Sequence, residues 1–197
     1  MPAAAHGQGQ VLTIGDGAPG TTPRFELRLD EGHLYRAILA TPRRKAELLT
    51  RIAKLAHAAV VASDGGLISN LKTWENLVLP VAYHRNPDYH DLEDRAALIF
   101  RQLGYSSSAF GELCNRRPDG FSRLERRTMA FVRAMLSEPE LMVYDNLFEG
   151  LTREEVEVAL RFDSVFHRHF PFRTALHVDL DAPMLPEVRV QESFHFP

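Results

Sequence analysis

A single cysteine, Cys114, occurs among the 197 residues, so no internal disulfide can form and the chain is expected in a compartment where thiols stay reduced. A lone thiol with no favourable histidine arrangement reads as a packed side chain and not as a nucleophile. Excess positive charge is also lacking. The net charge of −3 supplies no overall field to hold a phosphate backbone, which argues against nucleic acid as a partner. No apolar run approaches the roughly 20 residues needed to cross a bilayer, and the opening MPAAAHGQGQ lacks the charged and apolar regions of a secretory leader. The expectation is a cytoplasmic chain that reaches the inner face of the cytoplasmic membrane only through a partner.

What is present is a globular balance, 45% hydrophobic and 25% charged, in a length that fits one domain carrying a small insertion. Residues 1–10 read as a flexible tail and residues 11–197 as the domain. Val11 to Ile14 and Phe25 to Leu29, separated by a turn-rich loop from Gly15 to Pro23, form a short β layer. Leu34 to Leu39 reads as a buried strand, followed by a helix from Pro42 to Leu55 with Leu48, Leu49, Ile52 and Leu55 in helical spacing. Ala58 to Ala62 reads as a central strand. Helical stripes follow at Leu92 to Leu103 and Arg123 to Leu136, and the helical insertion spans about residues 83–136. Leu141 to Tyr144 is a buried strand that delivers Asp145 to its C-terminal end, where open α/β sheets place ligands. Thr152 to Phe166 reads as one helix with a capping box of Thr152 and Glu155. Arg173 to Val178 and Val188 to Gln191 are expected to close the sheet.

Two longer stretches, GGLISNLKTWENLVLPVAYH (Gly65 to His84) and SEPELMVYDNLFEGL (Ser137 to Leu151), lie in that order with a helix between them. On these the chain resembles the ATP-binding subunits of ABC transporters, and most closely those of the Mla-type (Mkl) lipid-trafficking systems. The first is similar to the segment after the Q-loop, the second to the Walker B strand and D-loop. The resemblance implies a P-loop NTPase-like α/β fold, with a mostly parallel central sheet, the short N-terminal β layer and an inserted helical subdomain.

The same resemblance assigns positions residue by residue. Nucleotide binding would fall to Lys45, Ser122 and Asp145, and the catalytic positions to Asn146 and His177. Several of these have changed. The phosphate loop of such proteins is G-x-x-x-x-G-K-[ST], whereas here Lys45 is preceded by Arg44 and followed by Ala46, and no glycine lies between Gly32 and Gly65. Arg43, Arg44 and Lys45 read better as the basic first turn of a helix. The Q-loop glutamine is replaced by Ser63 or a neighbour. Val11 to Arg24 holds no aromatic platform for adenine, and Tyr35 reads as a core residue. In the signature segment Ser122 is kept, while Arg123 and Leu124 stand where glycines would let phosphate approach. Arg126 and Arg127 read as the solvated face of that helix. Asn146 occupies the catalytic glutamate position, and a neutral amide cannot take a proton from water. His177 aligns with the switch histidine or is an ordinary strand-end residue. His167, His169 and His195 have no metal-ligand spacing, so no metal is expected.

The match is dense where the family meets its permease and sparse where it meets ATP. The expected function is a noncatalytic accessory subunit docking on an ABC permease of a lipid-transport system through Asn70, Leu71, Trp74, Glu75 and Asn76. Leu71, Trp74 and Leu77 would share one apolar helical face, with Glu75 and Asn76 on its polar rim. Trp74 reads equally as a docking anchor or a core residue. Two alternatives stay open: a divergent but active ATPase holding MgATP between Lys45 and Asp145, as a homodimer or a heterodimer with a competent subunit, and a soluble regulatory protein on the same scaffold.

Overall fold

The computed structural model describes residues 10–14, 25–55, 57–84, 88–181 and 188–196, with side chains described from residue 27 onward and not for residue 84. The loop expected from Gly15 to Pro23, and the tail up to residue 9, lie outside the described residues; Gln10 already belongs to a strand. Strands β1 (Gln10–Ile14) and β2 (Phe25–Leu29) pair antiparallel as the short β layer. The main sheet holds β3 (Leu34–Leu39), β4 (Ala58–Val61), β5 (Leu141–Asp145), β6 (Thr174–Leu180) and β7 (Glu192–Phe196). Its order is β4-β5-β6-β3-β7, and every neighbouring pair is parallel.

Helices cover both faces, as a parallel sheet of nearly continuous apolar strands requires. On one side Leu48 and Ile52 of α1 (Pro42–Ile52) pack with Tyr35, Leu141, Val143 and Val178. On the other lie α2 (Thr73–His84), α3 (Tyr89–Gln102), α4 (Ser107–Asn115) and α5 (Arg123–Leu136), against Val61, Met142, Tyr144 and Ala175. Alternation along β5 thus sends Leu141 and Val143 to one core and Met142 and Tyr144 to the other, following the two-residue period of a strand. Tyr35 is a core residue, stacked on Phe194.

Several expectations are corrected. Among the described residues Ala58 to Val61 forms the edge of the sheet, not its centre, because β4 pairs there with β5 alone. The last strand is Glu192–Phe196 and not Val188 to Gln191; Phe194 and Phe196 supply the apolar contacts that seat it beside β3. The helix expected over Thr152 to Phe166 is divided at Leu160 into α6 (Arg153–Ala159) and α7 (Arg161–His169). The capping box of Thr152 and Glu155 does start α6. Cys114 is buried, and burial pushes its thiol up to about 12, so no thiolate forms near neutrality.

Candidate functional site

Strand β3 passes to α1 through two residues, Ala40 and Thr41. A phosphate loop needs a longer excursion between strand and helix, with backbone N–H groups turned inward around the anion. Here Pro42, the first helical residue, contributes no N–H. Thr41 caps the helix, its Oγ1 accepting the Arg44 N–H at 3.3 Å, while the Lys45 N–H is donated to the Thr41 carbonyl at 3.1 Å. The donors of this helix start are thereby largely satisfied within the chain.

Lys45 and Asp145 are brought together as the resemblance implied, but they meet each other directly. The Lys45 Nζ lies 2.5 Å from Asp145 Oδ1, with both side chains only 13% exposed. A second ion pair lies beside this one. Arg36 Nε on β3 donates to Asp179 Oδ2 on β6 at 2.8 Å, and both residues are buried. Burial pushes the Asp179 carboxyl up, opposed by the Arg36 guanidinium. The four groups carry two positive and two negative charges, reaching from the middle of β3 to the C-terminal ends of β5 and β6. Such a set is compensated internally and has no surplus cation to recruit a triphosphate.

Asn146 has φ of 44°, a left-handed conformation that asparagine tolerates better than glutamate. Its Oδ1 accepts the Leu180 N–H and its Nδ2 donates to Glu149 Oε2, each at 3.0 Å, while its own N–H is donated to the Val178 carbonyl at 3.0 Å. Asn146 therefore ties the end of β5 to the end of β6. His177 lies in the middle of β6, opposite Tyr144, and not at a strand end. Burial, with the Arg36 charge, lowers its pKa to about 3, and its ring stacks on Phe148 with Tyr144 tilted against it. The residue aligned with a switch histidine is thus a neutral, enclosed ring inside the sheet.

Ser122 caps α5 in a reciprocal box with Glu125. Arg123 turns back onto its own chain, donating to the Gly150 carbonyl at 3.2 Å. Arg127 is not on a solvated face. It is 2% exposed, and its Nε, Nη1 and Nη2 donate to the carbonyls of Ser63, Leu147 and Glu149 at 2.9, 2.9 and 2.7 Å. Burial lowers its pKa, opposed chiefly by Glu149. This one guanidinium joins the segment after β4, the turn after β5 and the start of α5. A sequence signal was available: Arg127 stands three residues after Leu124 and four before Phe131, on the inward stripe of α5. Arg133 repeats the device, donating to the carbonyls of Gly66 and Gly65 at 2.7 and 3.2 Å.

The expected docking segment is also rearranged. Leu71 precedes α2, and Leu77 is fully buried. Asn76 does not lie on a polar rim: it is buried, its Oδ1 accepting the Ile68 N–H at 2.7 Å and its Nδ2 donating to the Ile68 carbonyl at 3.0 Å. Asn70 and Glu75 are exposed, and Trp74 is half-buried against the core. Leu79 and Tyr83, four residues apart, are exposed on α2. His167 and His169 are each engaged locally, with Asp163 and Gln102. No group of metal-binding side chains occurs among the described residues, and none of their helices is long and apolar enough to cross a membrane.

The residues at these positions do not fit MgATP held in the manner of a phosphate loop: the loop is missing, Ala46 has no hydroxyl for a metal, and Lys45 is paired with Asp145. The architecture nevertheless has close counterparts. The cbiO1 protein of Clostridium perfringens, part of the ABC transporter complex cbiONQ, aligns with a TM-score of 0.69 and 11% identity over 88% of this chain and 80% of that one. An ATP-binding subunit of an ABC transporter gives 0.66 and 17%, over 86% and 78%. The ATP-binding cassette MJ0796, bound to ADP and Pi, gives 0.64 and 15%, over 87% and 85%. No family model matches the chain, and no curated protein matches it in sequence. At such identities the likeness carries the architecture alone, and on that ground the chain has the α/β fold of the ABC-transporter ATP-binding cassettes, with a parallel central sheet.

Proposed function

We propose that this chain is a noncatalytic ABC-cassette subunit whose nucleotide-facing groups serve as internal braces, and that it acts by docking on the permease of a lipid-transport system. The observation that carries this reading is the Lys45–Asp145 contact, because it joins the two groups that would share MgATP and leaves neither for it. The capped start of α1 and the committed side chain of Asn146 support it further. The lipid-transport assignment rests on the Gly65 to His84 and Ser137 to Leu151 stretches. A homodimer or a heterodimer with a competent ATP-binding subunit is the assembly such a cassette would enter, peripheral to the membrane.

The docking face would be the exposed side of α2 and the turn before it, with Asn70, Trp74, Glu75, Leu79 and Tyr83. Affinity purification of the full chain from detergent-solubilised membranes tests this. A multi-span permease should accompany the chain and be lost with Trp74→Ala. ATP turnover that disappears on Asp145→Ala would contradict the noncatalytic reading and favour the divergent active ATPase.

A further inference from the structure

Among the described residues the sheet stops on one side at β4, which pairs there with β5 alone. Exposed strand edges are usually blunted by lysine, proline, a bulge or a covering element. Strand β4 reads Ala58, Ala59, Val60, Val61 and carries no such residue. Its open edge borders a cavity of about 700 Å³. Pro80 and Val81 of α2 with Ala134 and Leu136 of α5 line it on the helical side, and Leu55 and His57 line it from the connection between α1 and β4. Ala59 packs toward the helical core, while Ala58 and Val60 pack toward α1. The slot is thus walled by α2 and α5 on one face of the sheet and by the α1–β4 connection.

Its size and charge narrow the occupant. With a strand rise of 3.3 Å, strand spacing of 4.8 Å and sheet spacing of 10 Å, one residue of strand fills about 160 Å³, so the 700 Å³ cavity holds about four. Strand β4 is four residues long. Arg133 and His57 line the cavity and no aspartate or glutamate does, although the Asp64 carboxylate acts on Arg133 from outside the lining. Arg133 is held by the carbonyls of Gly65 and Gly66, which use two of the five N–H donors of a guanidinium. A second copy of this chain meeting edge to edge would bring two Arg133 guanidiniums together.

We propose that the open edge of β4 takes an extended segment of another protein as an added strand, about four residues long, apolar in alternation and ending in a carboxylate that meets Arg133. Backbone hydrogen bonds to the edge would supply affinity, and the small side chains of Ala58 and Ala59 would leave room for the incoming residues. This site lies on the sheet edge and does not depend on the permease reading.

Titration calorimetry of the full chain with a hexapeptide of alternating valine and threonine ending in glutamate tests it. One peptide should bind per chain. Methylating alternate peptide nitrogens that face β4 should weaken binding at least tenfold, and replacing the terminal glutamate by glutamine, with a blocked C-terminus in both, should weaken it about fivefold. Ala58→Lys, checked for an unchanged melt, should abolish binding by blunting the edge. Equal affinity for the methylated peptide, unaltered binding to Ala58→Lys, or no saturable binding at millimolar peptide would each overturn the proposal. So would a dimer in sedimentation that dissociates on Ala58→Lys, because the second copy would then be the occupant.

Discussion

The side-chain oxygen of Asn146 accepts the Leu180 N–H at 3.0 Å, holding the end of β5 against the end of β6. Its amide nitrogen is spent on Glu149. Asn146→Glu would place a carboxylate against Glu149 and put glutamate at a positive φ. The expected outcome is a loss of about 1 to 3 kcal/mol in urea unfolding, with no gain of ATP turnover. A variant as stable as the parent that hydrolyses ATP would show the position poised for chemistry.

Arg127 should be among the most sensitive positions in the molecule. Arg127→Met keeps much of the apolar volume but strands the carbonyls of Ser63, Leu147 and Glu149. A loss of about 3 kcal/mol or more is expected. Arg127→Lys should recover only part of it, since one ammonium cannot span three acceptors with the guanidinium's fixed fork. Full recovery by lysine would mean that charge, and not the three-way contact, is what matters.

Elements defined by a repeating apolar pattern were legible in the sequence, and those defined by neighbours were not. The LMVYD run of β5 and the stripe of α5 state their own burial. AAVV reads alike at a sheet centre or an edge, because alanine and valine suit both, and only the pairing with β5 decides. Strand β7 mixes Glu192, Ser193 and His195 with Phe194 and Phe196, so its alternation is easily passed over for the neighbouring VRVQ. Lys45 and Asp145 were identifiable as a pair of interest, whereas their mutual contact across 100 residues is a property of the fold. The roles of Asn146 and Asn76 depend on backbone groups that sequence does not display.

His177 makes stability fall on acidification. Its pKa is about 3 in the folded chain against 6.5 for an unperturbed histidine, so between these values the unfolded state binds the extra proton. Stability from this residue is complete above about pH 6.5 and declines as pH falls toward 3, by about 4 to 5 kcal/mol across the window. His177→Phe, which can keep the stack on Phe148, should flatten that part of the profile. An unchanged slope in the variant would remove His177 as its cause.

Trp74 separates docking from packing. It is half-buried, so Trp74→Ala should cost about 2 kcal/mol, below the 3 to 5 kcal/mol of a fully enclosed aromatic. Loss of the permease with a near-parental melt supports an anchor. A collapsed melt assigns the ring to the core.

Titration of the purified full chain with MgATP tests the internal bracing of Lys45 and Asp145 most directly. Calorimetry up to millimolar nucleotide should give no saturable heat, and the melting temperature should not rise. A site occupied at 100 times its dissociation constant would stabilise the fold by about 2.7 kcal/mol. One-site binding in the micromolar range that is lost with Lys45→Ala would contradict the reading, because the lysine would then be leaving Asp145 for a phosphate.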